Sequence, residues 1–316
     1  MSATELDRFA AAYVAQWETR STVRTARRFQ LTEAIAANDL YPQLMDPLTA
    51  HPRVAERGPD ARRFLLTQAA YTFMEEIALL ETDTVALLAA SLAHRPHRVP
   101  LSPAVREAAL TVSVDEAYHA FAASEFIHRA TELTGIAPMA PLTSPAQVGI
   151  AHAAARANLP AAVGDDWDIV ALCIAENVVT HEVLGMTRDT PPTNAFHIAC
   201  EEHLADETQH QAFFQRVLRH YWRELDATTR EAIGEALPVF FHHFFGDATR
   251  FRTRSVAILR AVGLDEASAH EILAELFDPF PATQHPMARN AIRLLEKTGV
   301  LDHAPTGAAL ARDGWV

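Results

Sequence analysis

Residues 115–119 read Asp-Glu-Ala-Tyr-His (DEAYH), inside the mostly apolar stretch SVDEAYHAFAASEF, Ser113–Phe126. The alanines and phenylalanines predict a buried helix. Glu116 and His119 stand three residues apart, one turn along the same face. Burying such groups is costly unless they are paired or bound to a metal. The pattern Asp-Glu-x-x-His returns at 206–210 as DETQH, so Glu207 and His210 repeat the arrangement. One such pair is a weak signal. Two of them, each midway along a long predicted helix, point to a shared metal site.

Outward from these motifs the chain reads as all-α. Glycine is scarce, alanine is abundant, and no stretch alternates as a half-buried strand does. Four long helices are expected: about 60–93, with Asp60 as its cap; 103–133, capped by Ser102; 165–187; and a helix from Pro192 to about 225. Their lengths, roughly 35–50 Å, suit a four-helix bundle. Around it the pattern predicts a first helix over 3–27 and the loop-rich segment NDLYPQLMDPLTAHPRV. Further helices are expected over 146–157, 227–245, 249–262, 265–277 and 286–298, then a weakly structured tail. No linker divides the chain. A single domain over 1–316 is expected, with its core bundle at about 60–225.

Composition narrows the function. The net charge of −13 argues against a nucleic-acid partner, which calls for a basic face. Hydrophobic content of 49% and charged content of 21% fit a globular protein with a substantial core. The first residues lack the layout of a signal peptide, and no apolar run approaches a membrane span of roughly 20 residues. Cys173 and Cys200 make no disulfide framework. A cytoplasmic enzyme, with no membrane partner, is expected.

A bundle holding two metals through two Glu-x-x-His pairs takes one glutamate from each remaining helix. The 60–93 helix offers Glu75, Glu76 and Glu81; the 165–187 helix offers Glu176 and Glu182. Glu81 and Glu176 have the most apolar surroundings, although spacing leaves Glu75 and Glu76 open. His203 precedes Glu207 by four residues and shares its face with Glu207 and His210. Asp115 and Asp206 read as acceptors for the ring N–H of a metal-binding histidine. His152, His181, His197, His242 and His243 read as structural or surface groups, Cys173 and Cys200 as small buried residues in preference to cavity-lining ones, and FFHHFF at 240–245 as core or an interface, with a substrate-pocket wall as the alternative.

This set resembles the para-aminobenzoate N-oxygenase-like family of non-haem di-iron enzymes, which oxidise arylamines to nitro compounds. The resemblance covers roughly residues 40–250, and His203 is its most specific element. It implies a ferritin-like four-helix bundle with additional N- and C-terminal helices. One iron would take Glu81 and His119, the other Glu176, His203 and His210, with Glu116 and Glu207 bridging. Each aspartate would serve the histidine of the opposite motif. The ligand types equally admit manganese or a mixed pair.

The implied reaction uses O2 to carry a primary amine towards hydroxylamine, nitroso and nitro products. An external electron donor, a ferredoxin with its reductase or another reductant, is needed, because no flavin, haem or iron–sulfur motif is visible. A homodimer is also implied. The family holds a substrate carboxylate with an arginine before the first glutamate and an asparagine after the third. Glu76 and Glu182 stand at those places here, which disfavours a carboxylate substrate; Arg289 and Arg293 are the remaining cationic candidates. A di-iron C–H hydroxylase or desaturase, and a ferritin-like iron-binding protein, are the alternatives.

Overall fold

The computed structural model describes residues 2–25, 30–139, 145–188, 194–278 and 281–316, with the side chains of 179–188 excepted. Eleven helices of nine residues or more are present among them: α1 (Ala3–Arg20), α2 (Pro59–His94), α3 (Pro103–Thr134), α4 (Gln147–Arg156), α5 (Gly164–Arg188), α6 (Ala195–Glu224), α7 (Ala227–Phe241), α8 (Thr249–Ala261), α9 (Glu266–Phe277), α10 (Pro286–Thr298) and α11 (Ala304–Arg312). No strand occurs among the described residues.

The bundle consists of two helical hairpins, α2 with α3 and α5 with α6. Local sequence sets their ends. Ser102 accepts the Val105 N–H at 3.3 Å, Pro103 fills the first turn, and Gly135 ends α3 in the left-handed region at φ 70°. Asn194 caps α6 by accepting the Phe196 N–H at 2.8 Å. Gly58, at φ 88°, precedes Pro59 and starts α2, so Asp60 lies within the first turn rather than capping it. The expected start of α6 at Pro192 lies outside the described residues.

Two apolar clusters occupy the bundle, one on either side of a polar layer. Toward one end are Leu66, Tyr71, Met74, Phe126, Phe196 and Cys200. Toward the other are Val85, Val112, Trp167, Phe213, Phe214, Phe240 and Phe241. Of the FFHHFF run, Phe240 and Phe241 are buried in this core, Phe244 and Phe245 pack against it half-buried, and His242 is exposed. α2 is long and apolar enough to cross a membrane by length and composition, and much of its apolar stretch is buried inside the protein.

Three departures from the sequence reading matter. α1 stops at Arg20 instead of running to 27, because Ser21 turns extended (φ −62°, ψ 137°). α2 contains a π-turn at Glu81–Val85, and a second π-turn, His242–Gly246, follows α7. The tail is helical: α11 packs on α7, where Gly234 meets Thr306. Helix α10 packs on α5 and α6, and α4 on α5 and α7.

A methyl group at Gly234 would collide with the Thr306 side chain and lie 3.1 Å from its Cα. Thr306 is fully buried and cannot swing aside. Gly234→Ala is therefore expected to cost about 1–3 kcal/mol, read as a lower urea midpoint and as faster proteolysis of α11. An unchanged midpoint would show that α11 does not need this close approach.

Candidate metal centre

Between the two apolar clusters lies a layer of four carboxylates and three imidazoles, all buried: Glu81, Glu116, Glu176, Glu207, His119, His203 and His210. α3 contributes Glu116 and His119, α6 contributes His203, Glu207 and His210, and α2 and α5 give one glutamate each. Their ligand atoms form two groups that share a residue. Glu81, His119, His203 and Glu207 make one; Glu116, Glu176, Glu207 and His210 make the other. His203 therefore joins Glu81 and His119, not Glu176 and His210 as the resemblance implied. The reason is local: its Nε2 lies 3.1 Å from Glu207 Oε1 and 3.6 Å from Glu81 Oε1, and its ring stacks on that of His119 with centroids 4.2 Å apart.

Two glutamates span the groups. Glu116 reaches His119 Nδ1 with one oxygen and His210 Nδ1 with the other, both at 2.8 Å. Glu207 Oε1 lies 3.1, 3.4 and 3.6 Å from His203, His210 and His119.

Neighbouring contacts select among the glutamates of α2. A π-turn adds a residue to the helical register and re-aims the side chains that follow. Glu81, at its start, faces the interior and is 2% exposed. Glu75 instead accepts from Arg254 Nη1 at 2.6 Å. Glu76 accepts the Gln147 N–H at 2.7 Å, at the start of α4, which accounts for that carboxylate structurally. The Glu182 and His181 side chains lie outside the described residues.

With protons as the only counter-charges, the layer divides. Burial pushes Glu81 well above the usual carboxylate range, and the charges of Glu116 and Glu207 add to this. Glu176 moves the same way for the same reasons. Glu116 is brought down to about 2: burial opposes this, but His210 and His119 outweigh it. Glu207 also falls well below its ordinary value against burial, through His203 and His210. His119 is raised to about 10, with Glu116 and Asp206 overcoming the effect of burial. His210 is raised well above its ordinary value; burial opposes this, and Tyr13, Glu116 and Asp115 raise it. Protons thus stand where cations would.

The donor set fits two metal ions. Glu116 Oε1 and His210 Nδ1 approach to 2.8 Å, yet neither has hydrogen-bond geometry to any partner. Such a buried pair is what an ion between them would satisfy. The mix of carboxylate oxygen and imidazole nitrogen suits iron or manganese.

Outside the layer, each aspartate meets the histidine of the opposite motif. Asp206 Oδ2 lies 3.1 Å from His119 Nε2, and Asp115 Oδ2 lies 3.2 Å from His210 Nε2. Sequence reasoning missed what holds these aspartates. Asp115 accepts from Trp17 Nε1 at 2.9 and 3.0 Å and from Ser21 Oγ at 2.6 Å. Asp206 accepts the Thr22 N–H at 3.0 Å and the Thr22 hydroxyl. Nothing local in the first 25 residues signals this, since the contacts span much of the chain.

A cavity of about 670 Å³ opens beside the layer, reaching His119 and His203. Leu31, Met74, Ile77, Phe126 and Cys200 supply apolar wall, and Glu33, Glu125, Glu202 and Arg129 supply charge. Glu76, Arg289 and Arg293 do not line it.

A helical bundle whose interior carries two overlapping carboxylate–imidazole groups defines a ferritin-like oxidoreductase of the di-iron oxygenase type. The model of the family described as P-aminobenzoate N-oxygenase AurF matches residues 18–299, and the chain belongs to this family of non-haem di-iron N-oxygenases. No curated protein matches the chain.

Metal ions bind the deprotonated ligands. Loading is therefore expected to release protons from Glu81, Glu176, His119 and His210, and apparent metal affinity should rise with pH for as long as these groups hold protons, up to about pH 10 for His119. Anaerobic titration in a weakly buffered indicator solution measures both. Uptake without acidification would show that these groups are already deprotonated.

Proposed function

We propose that the protein binds two iron ions in this layer and uses O2 to oxygenate the nitrogen of a primary arylamine that lacks a carboxylate. The observation that carries the reading is the pair of ligand groups sharing Glu207, with three imidazoles and four carboxylates in one buried layer. Glu81, His119 and His203 would hold one ion and Glu176 and His210 the other, and Glu116 and Glu207, which reach residues of both groups, would contribute to each. Four carboxylates nearly neutralise two divalent ions, and oxygen-rich ligation favours the oxidised state. Bound iron supplies the reducing electrons for O2, replenished by an external one-electron donor.

The chain's own residues set the surroundings. Asp115 and Asp206 hold the Nε2–H of His210 and His119, so that Nδ1 of each ring faces the carboxylate layer where the ions would bind. The apolar clusters on either side exclude water. The cavity at His119 and His203 admits the amine, with Met74, Ile77 and Phe126 against its ring. The described rim residues carry three glutamates and one arginine, and that arginine, Arg129, pairs with Glu132 at 2.8 Å. A neutral or cationic amine suits this rim better than a carboxylate.

An aerobic assay with iron, a chemical reductant and a panel of neutral, cationic and carboxylate-bearing arylamines tests the proposal. Hydroxylamine, nitroso or nitro products, strongest with the neutral and cationic members, are expected. Oxidised carbon would replace the reading with a hydroxylase or desaturase, and oxygen uptake without organic product with an iron-binding protein. Turnover with manganese but not iron would overturn the choice of metal.

Two substitutions sharpen the test. Ala122→Phe, which narrows the cavity, is expected to lower kcat/KM at least tenfold for the larger amines, about 1.4 kcal/mol, with iron content unchanged. An equal effect on small and large amines would place the substrate elsewhere. His203→Ala is expected to weaken iron binding at the group containing Glu81 while the second ion stays. Loss of both ions together, or of neither, would contradict the separate grouping.

A further inference from the structure

We propose that Trp17, Ser21 and Thr22 are positioning residues of the metal centre, acting on its two halves separately through Asp115 and Asp206. The inference rests on the reading of the layer as a two-metal site. α1 lies across α3 and α6, the helices that carry the two Asp-Glu-x-x-His motifs. It ends where it crosses them. Had the helix continued, the Thr22 N–H would bond within it and the side chains of residues 21 and 22 would diverge by about 100°. The extended conformation of Ser21 instead frees the Thr22 N–H for Asp206, while the Ser21 hydroxyl turns to Asp115. Adjacent residues thereby hold two carboxylates that belong to different helices.

The donors nearly saturate both acceptors. Asp115 Oδ1 takes Ser21 Oγ and Trp17 Nε1, and its Oδ2 takes Trp17 Nε1 and His210 Nε2. Asp206 Oδ1 takes the Thr22 N–H, and its Oδ2 takes the Thr22 N–H, the Thr22 hydroxyl and His119 Nε2. Both aspartates and Ser21 and Thr22 are buried, so water does not replace a lost donor freely. A carboxylate fixed in this way holds the imidazole it faces in one tautomer and one orientation. The connections do not cross. Trp17 and Ser21 lead to His210, in the group with Glu116 and Glu176. Thr22 leads to His119, in the group with Glu81 and His203.

The test is anaerobic titration of the full chain with Co(II) against a competing chelator, followed through the visible ligand-field bands. The unfolding midpoint of the metal-free protein is measured on the same samples. The wild type is expected to take up two Co(II) in resolvable steps. Thr22→Val should weaken one step by about tenfold or more and shift its bands. Ser21→Ala and Trp17→Phe should weaken the other step, and Thr22→Ser should restore wild-type binding. Variants with wild-type affinities and bands would overturn the proposal. So would all three variants weakening both steps alike in proportion to lost metal-free stability, since that is a general structural effect. A wild-type chain that takes up fewer than two Co(II) would overturn the reading of the site, and this proposal with it.

Discussion

Four carboxylates cannot share a dry interior without counter-charge, and the structure is organised around that constraint. Desolvating each ion costs several kcal/mol even after relaxation, against a total stability of about 5–15 kcal/mol for a typical domain. Two carboxylates hold protons and two lean on imidazoles until cations arrive. The bundle helices must then be long enough to carry apolar clusters both above and below the layer. That explains why the site falls mid-helix on all four, and why α2 looks apolar enough for a membrane while burying Glu81.

The three histidines are not equivalent. His119 and His210 are gripped from outside by aspartates, which are gripped in turn by the end of α1. His203 is placed by its stack on His119 and by Glu207, and it borders the cavity. The brace and the cavity meet at one place, because Thr22 lines the cavity beside His119 and His203.

Much of this was legible in the sequence. Three-residue spacing is a strong statement on a helix, so Glu116 with His119 and Glu207 with His210 could be read directly, and long periodic segments placed the bundle helices within a few residues. The choice among Glu75, Glu76 and Glu81 could not be made on spacing, because it depends on Arg254 and Gln147, distant in the chain, claiming the first two. The grouping of His203 depends on how α2 and α6 approach, which a family pattern of ligand types does not encode. The break after Arg20 escaped for a related reason: Ser21 and Thr22 leave the helix to satisfy aspartates far along the chain, and local propensity carries no record of that demand.

The π-turn at Glu81–Val85 also limits how this helix can vary in length. Residues before it, such as Met74 and Ile77, belong to the apolar cluster on one side of the metal layer, and residues after it, such as Ala89 and Leu92, to the cluster on the other, so the extra residue sets how the two buried faces of the helix are phased. Removing one residue from this turn would restore a plain helix and rotate everything on one side by about 100°. Either the glutamate or half of the apolar face would then point outward. Insertions and deletions in α2 should accordingly be confined to its ends.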